Sequence, residues 1–344
     1  MRGIGGRRSF VIAGRTSFSY AEPVKRNELT ERFKSTRVVV VGDPCLDENV
    51  YGRVETVAKE APVLALEVEK RVYAPGQAAN VAANAAALGA RVSFAGVIGP
   101  DEHGAHLVAL LEGLGADVGG LAREAGRPTT HKVKFVGRES QRHDQHLFHA
   151  YRQVETPPSP ASAKKLRAFV SQALDAADAL VLSDYGNGVL GSSFARWCVA
   201  ESGKRGVVSV VNARGDLAKF RGAAAAVANM EELERAARRK VVAGGDLTAA
   251  MEAAGSKLQI GRLVITAGSE GMAVWPVRGG VARLEPEAKE VVDVTGAGDT
   301  VTAALAVALG AGADLITAAR VANRAAAAVV SREGTAVARA GDIA

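Results

Sequence analysis

The chain has 344 residues, 48% hydrophobic and 23% charged, the composition of a soluble globular protein of one large domain, or a main domain with a small appendage. That composition excludes a disordered chain, a collagen-like chain and a disulfide scaffold. The net charge of +6 is local: residues 1–37 hold nine Lys/Arg against three Glu, and the other 307 residues balance 34 basic with 34 acidic groups.

With no clustered basic face in the body, nucleic-acid binding is not expected. No apolar run approaches the roughly 18 residues of a membrane span, and Ser9–Gly14 is too short for a signal segment. The two cysteines, Cys45 and Cys198, read as free thiols in a reducing compartment, and the expected location is cytoplasmic. Residues 1–36 read as a basic, disordered extension, and the ordered body is expected to begin at Arg37.

Val38–Val41 is a β-branched run closed by Gly42-Asp43, the pattern of a buried strand entering a turn. Asn49–Tyr73 follows as β-structure without a helix. Ala78–Leu88 is Ala-rich, stops at Gly89, and predicts a helix. Val92–Val97 predicts a strand and His103–Leu114 a helix. Thr129–Tyr151 is again β-like, with Lys132–Val136 alternating polar and apolar residues. Thr156–Pro160 reads as a stiff linker. Then come helix Lys164–Ala177, strand Ala179–Leu182, helix Ser193–Ser202, strand Val207–Val211 and helix Glu231–Arg239. Strands Leu263–Thr266 and Met272–Trp275 precede helices Thr300–Leu309 and Ala318–Ser331. This alternation predicts an α/β fold, a mostly parallel sheet with helices on both faces. The two helix-free stretches predict a small accessory sheet.

The segment Val292–Thr300, VDVTGAGDT, carries the chemistry. Gly296, Ala297 and Gly298 stand before a helix, where backbone N–H groups and the helix dipole favour an anion. Asp299 at that site suits a carboxylate that takes a proton from a hydroxyl attacking a phosphoryl group; the alternative is a plain helix cap. The histidines show no HxH or HExxH spacing, so zinc is not expected. VVVVGD lacks the GxGxxG of a dinucleotide fold, which argues against an oxidoreductase.

DVTGAGDT resembles the signature of the ribokinase-like (PfkB) carbohydrate kinases, and five further segments resemble that family in order and spacing. These are Val41-Gly42-Asp43 with Asp47, Pro75-Gly76-Gln77-Ala78-Ala79-Asn80, Asn229-Met230-Glu231-Glu232, Thr266-Ala267-Gly268-Ser269-Glu270-Gly271, and Ala322-Asn323. The likeness spans about residues 37–344. It implies a three-layer αβα sandwich with a β lid formed by about residues 49–73 and 129–151. It implies ATP as co-substrate, Mg²⁺, a monovalent cation as a further candidate, and a homodimer joined through the lids.

Within the family, Glu60-Ala61-Pro62-Val63, Arg127-Pro128-Thr129-Thr130-His131-Lys132 and Ser183-Asp184-Tyr185-Gly186-Asn187-Gly188-Val189-Leu190 resemble segments of the heptose 7-phosphate kinases. The chain ends about where such a kinase domain ends, so the nucleotidyl-transferring activity of the bifunctional members is not expected. The resemblance implies Asp299 as base, with Gly296, Ala297 and Gly298 at the transferring phosphoryl group. It implies Asp47, Gly76, Gln77, Asn80, Lys132, Asn187 and Arg214 around the sugar. Asn229, Thr266, Gly268, Gly271 and Asn323 fall to the nucleotide, and Glu232 and Asp184 to the metal.

The departures from the family pattern cluster on the acceptor side. Gln77 stands where a glycine is usual and Asn187 where a lysine is usual. Asn212-Ala213-Arg214-Gly215 replaces DPKG, Ala228-Asn229 replaces Pro-Asn, and His149 and Tyr151 stand where an Arg-x-Asp pair is usual. A kept phosphoryl-transfer machine with an altered sugar pocket is the expectation. A nucleoside or simple hexose kinase, or a ligand-binding paralogue with weakened catalysis, are the alternatives.

Overall fold

The computed structural model describes residues 26–138, 145–242, 244–277, 280–288 and 290–343. The elements run α1 (Arg26–Phe33), β1 (Arg37–Gly42), β2 (Pro44–Val57), β3 (Leu64–Gln77), α2 (Ala78–Ala87), β4 (Arg91–Ile98), α3 (Glu102–Gly113), β5 (Asp117–Arg123), β6 (His131–Arg138) and β7 (Gln145–Arg152). They continue α4 (Pro160–Leu174), β8 (Ala179–Asp184), α5 (Ser192–Lys204), β9 (Val208–Ala213), β10 (Ala225–Asn229), α6 (Met230–Ala237), α7 (Gly244–Leu258) and β11 (Leu263–Thr266). The last are β12 (Met272–Val277), β13 (Gly280–Leu284), α8 (Ala297–Gly310), α9 (Leu315–Val330) and α10 (Ala340–Ile343).

The main sheet has the order β13-β12-β11-β10-β9-β8-β1-β4-β5. It is parallel from β11 through β5, and β12 and β13 are antiparallel. Alternation in β1 explains the three layers. Val38 and Val40 point into one apolar cluster with α2, α8 and α9, and Val39 and Val41 into another with α4, α5 and α7. A strand buried on both faces must be apolar at every position, which is why this one reads VVVV.

The second sheet has the order β3-β2-β6-β7, with β2 and β6 parallel and the outer pairs antiparallel. Its register sets Lys132 opposite Tyr151 and Lys134 opposite His149. The sheet exposes apolar side chains, Val57 and Leu64 each at 58% and Phe148 at 58%.

Two expectations are corrected here. Order does not begin at Arg37: α1 precedes it, with Leu29 and Phe33 buried in the core. The helical signal is weak because charged residues dominate the segment, yet its two large apolar residues are four apart and share one face. Residues 1–25 of the expected extension, with Ser9–Gly14, lie outside the described residues. The expected linker Thr156–Pro160 also ends in a helix start. Ser159 Oγ accepts from Ser162 N at 3.2 Å and Pro160 takes the first helical position, where a missing N–H costs nothing.

Candidate active site

The parallel strands end on one side of the sheet, where ligands of open α/β sheets bind. A cleft of about 570 Å³ lies there. The body contributes Asn212, Arg214, Asn229, Glu232 and Thr266, the α8 start contributes Gly296, Gly298 and Asp299, and the small sheet contributes Asp47, Lys132, Lys134, His149 and Tyr151. Gln77 and Asn80, around the β3–α2 junction, and Tyr185, after β8, complete it.

Asp299 is in the first turn of α8, not before the helix as expected, because α8 starts at Ala297. It is buried. Tyr185 Oη donates to its Oδ1 at 2.5 Å and Asn80 Nδ2 donates to its Oδ2 at 3.0 Å. Burial, the largest influence, pushes its pKa up to about 6 against the opposing pull of these two donors. A carboxylate with a pKa just below neutrality is ionised and basic at pH 7.

Asn80 is itself fixed. Its Oδ1 accepts from Asn84 Nδ2 at 3.0 Å, and Asn84 Oδ1 accepts from Thr300 Oγ1 at 2.9 Å. This chain of hydrogen bonds ties α2 to α8 beside Asp299. Asn80, expected at sugar hydroxyls, lines the cleft and donates its amide to Asp299.

The small residues around Asp299 have steric reasons. Gly296 sits at φ 78°, and a Cβ there would lie 2.6 Å from Asn80 Nδ2. At Gly76 a Cβ would lie 2.2 Å from Asp47 Oδ1, so the missing side chain makes room for that carboxylate. Gly298 lines the cleft, whereas Ala297 does not: its N–H donates to Val294 O at 3.2 Å. The helix start thus leaves the Gly298 and Asp299 N–H groups for an anion. Asn212 Nδ2 donates to Thr302 Oγ1 at 2.8 Å and Gly298 O at 3.3 Å, tying the β9 end to this turn.

Gln77 and Asn187 meet. Asn187 Nδ2 donates to Gln77 Oε1 at 2.9 Å. Gln77 lines the cleft at φ 54°, ψ −129°; Asn187 stands behind it, buried. The loop carrying Tyr185 and Asn187 hangs on one buried carboxylate, Asp43, which accepts from the N–H groups of Tyr185, Asn187 and Val189 at 2.8–3.1 Å.

Glu232 lines the cleft and forms a capping box with Asn229: each side chain accepts from the other's backbone N–H. Burial raises the Glu232 pKa, and no ion pair neutralises it among the described residues. This is a carboxylate that can hold a hydrated Mg²⁺. Asp184 does not fit that role. It lies outside the cleft, buried, paired with Lys219 Nζ at 2.7 Å and accepting from Gly186 N. Of the expected nucleotide residues, Asn229 and Thr266 reach the cleft, but Gly268, Gly271 and Asn323 do not line it. Asn323 Nδ2 donates to Glu285 O at 2.7 Å. Gly271, at φ 79°, is held against Leu284 O, where a Cβ would be 2.1 Å away.

Lys132 and Lys134 face the cleft with no ion pair to either among the described residues. His149 beside them has its pKa lowered, by burial and then by His146 and Lys134, so it is neutral at pH 7. Lys134 was missed, although KVKFV alternation puts it on the same strand face as Lys132. Nothing in the sequence alone shows that the Tyr185 hydroxyl reaches residue 299.

The family model described as "pfkB family carbohydrate kinase" matches residues 35–340. The chain belongs to the pfkB family of carbohydrate kinases. As a pfkB member it is a sugar kinase. It is 36% identical over 311 residues to the bifunctional protein HldE of Bradyrhizobium diazoefficiens, covering 90% of this chain. It is 37% identical over 307 residues to HldE of Acidiphilium cryptum, covering 89%. The chain spans 62% of the length of each of these two relatives. Phosphofructokinase-2 from Escherichia coli, solved in complex with substrates and products, superposes at TM-score 0.74 with 18% identity, over 90% of this chain and 96% of its own. Arabidopsis thaliana ribokinase, complexed with ribose and ATP, gives 0.69 with 22% identity, over 90% and 97%. The fold is thus the ribokinase-like sandwich, and the GAGD segment of this pfkB kinase sits at the cleft.

Proposed function

We propose that this kinase transfers the γ-phosphoryl group of ATP to a hydroxyl of a heptose 7-phosphate or a closely related sugar phosphate. The observation that carries the reading is that Asp299, the start of α8, and Lys132 and Lys134, neither in an ion pair among the described residues, line one cleft. Cations in the same cleft as the base suit an acceptor that is itself phosphorylated. ATP, bound with Mg²⁺, supplies the transferring group. Glu232 would hold the metal through water, and Asn229 and Thr266 border the nucleotide. Asp299 Oδ2 or Oδ1 accepts the proton of the attacking hydroxyl. Gly298 and Asp299 N–H groups stabilise charge on the phosphoryl oxygens. Asp47 and Gln77 meet sugar hydroxyls, and Arg214 joins the lysines in balancing the acceptor phosphate.

The test is turnover with Mg-ATP and heptose 7-phosphate beside unphosphorylated heptose. Asp299→Asn should lose about 10²–10⁴-fold in kcat with ATP affinity kept. Lys132→Met and Lys134→Met should each raise KM for the phosphorylated sugar by roughly tenfold to a hundredfold, the value of one charge-assisted bond, and leave KM for the unphosphorylated sugar unchanged. Equal losses on both sugars would remove the acceptor phosphate from this site. The Gln77–Asn187 pair favours a second reading, a related sugar differing from heptose at the end that meets Gln77. The exposed Val57, Leu64 and Phe148 support pairing of two copies through the small sheet, which light scattering checks.

A further inference from the structure

We propose that Tyr185 is a positioning residue for the base: its hydroxyl fixes the plane of the Asp299 carboxylate, keeps it ionised, and ties it to the cations of the acceptor site. The inference rests on the reading of Asp299 as base. Three observations carry it. The Tyr185 hydroxyl donates to Asp299 Oδ1 at 2.5 Å, the shortest contact the carboxylate makes. The ring of Tyr185 lies under two cations from different parts of the fold. Lys132 Nζ of β6 is 5.6 Å from its centroid and the Arg214 guanidinium, just after β9, is 4.5 Å away. The loop that carries Tyr185 is pinned by three N–H groups donating to the buried Asp43 carboxylate.

A phenol donor on a carboxylate favours its charged form, because the bond is stronger to the anion than to the acid. The phenol itself stays protonated, since burial and the neighbouring Asp299 both raise its pKa well above the ordinary value. With Asn80 on the other oxygen, two donors define the carboxylate plane and direct its remaining lone pairs at the cleft. The other charged groups acting on Asp299 are Arg214, which favours its ionisation, and Asp47 of β2, which opposes it. Neither touches the carboxylate as Tyr185 does. Cations on the same ring stabilise it electrostatically, so an acceptor phosphate drawn to Lys132 and Arg214 arrives at the residue that holds the base.

The experiment is the pH profile of kcat/KM with heptose 7-phosphate and Mg-ATP for wild type, Tyr185→Phe and a protein with 3,5-difluorotyrosine at 185. In parallel, the Asp299 carboxyl band is titrated by infrared difference against Asp299→Asn, without substrate. Tyr185→Phe should move the acid limb and the infrared midpoint up by about one pH unit, a roughly tenfold gain in proton affinity. Activity at pH 8 should stay within about tenfold of wild type. Difluorotyrosine, a more acidic donor, should move both midpoints down. Midpoints unmoved in either protein, or an equal loss at every pH, would overturn the inference and leave Tyr185 a structural residue. If Asp299→Asn instead turns over at the wild-type rate, the reading of the base fails, whatever Tyr185 does.

Discussion

Asn187 and Gln77 are 110 residues apart in the chain and share one hydrogen bond, Asn187 Nδ2 to Gln77 Oε1 at 2.9 Å. These are the two acceptor-side positions where lysine and glycine are replaced relative to the family pattern. The replacements are one structural unit. Gln77 holds φ 54° and ψ −129°, a conformation that glycine adopts freely and that costs a residue with a Cβ roughly 1–3 kcal/mol. The bond to Asn187 offsets part of that cost.

The order of stabilities follows. Gln77→Ala keeps the strain and loses the bond, so it should lower stability by about 1–2 kcal/mol. Gln77→Gly loses both and should lie close to wild type. A double-mutant cycle of Gln77→Ala with Asn187→Ala should give a coupling of about 1 kcal/mol in urea denaturation. If Gln77→Ala is as stable as wild type, the two residues are not coupled.

Helix α1 sets a second expectation. Leu29 and Phe33 are 1% and 0% exposed. Truncating a buried Phe costs about 3–5 kcal/mol and a buried Leu about 2–5. Phe33→Ala, or removal of the chain through residue 34, should therefore lower Tm sharply. A melting temperature unchanged in either variant would show that α1 does not pack on the body.

Much of this architecture was legible because burial on two faces writes itself into sequence: VVVV at β1, ALVL at β8 and the Ala-rich stretch of α2 each fit one element. What escaped was less distinct. β10 reads AAVAN, whose alanines suit a helix equally, and β13, five residues including Gly280, is too short to show a period. At the cleft, the residues that local chemistry singles out, Asp299 with Gly296 and Gly298, lie together in the lining. A motif names positions and not directions: the Asp184 carboxylate turns to Lys219, the Ala297 N–H to Val294 O and the Asn323 amide to Glu285 O. Asp43 and Tyr185 act across long sequence separations that only the fold closes.

Asp299 should also leave a mark on stability. Its folded pKa of about 6 lies above the ordinary 3.8, mainly through burial. The folded state therefore binds its proton more tightly than the unfolded chain. This group's contribution falls as pH rises from about 4 to about 6, and above that the ionised, buried carboxylate is a standing cost. Asp299→Asn removes the titration. Relative to wild type, it should be more stable at pH 8 than at pH 4, by roughly 2 kcal/mol between the two. Equal differences at both pH values would mean that the carboxylate titrates normally.

Asp43 offers the most local test of how the fold holds the site. Its carboxylate is fully buried, and burial is the largest influence raising its pKa, with Asp184 adding to it. Three backbone N–H groups oppose that shift: Tyr185 and Asn187 donate to Oδ2, and Val189 to Oδ1. Asp43→Asn keeps the shape but replaces one acceptor oxygen with an amide nitrogen that has hydrogens of its own. At least one N–H of the loop then loses its partner in a buried setting, which costs about 1–3 kcal/mol. Arg127, whose guanidinium donates to Asn187 O at 2.7 Å and Thr156 O at 2.8 Å, still holds the loop from the other side, so the chain should fold. The loop should loosen where Tyr185 meets Asp299. Amide hydrogen exchange should therefore speed up at Tyr185, Asn187 and Val189 and stay unchanged in β10 and β11. Turnover should fall by up to about tenfold, the bound set for loss of the Tyr185 hydroxyl itself, since a displaced catalytic group slows the reaction, while affinity for ATP, proposed to bind at the α8 start and Glu232, is retained. Accelerated exchange without loss of turnover would show that the loop's order does not matter for the base. Unchanged exchange would show that Asp43 is not its anchor.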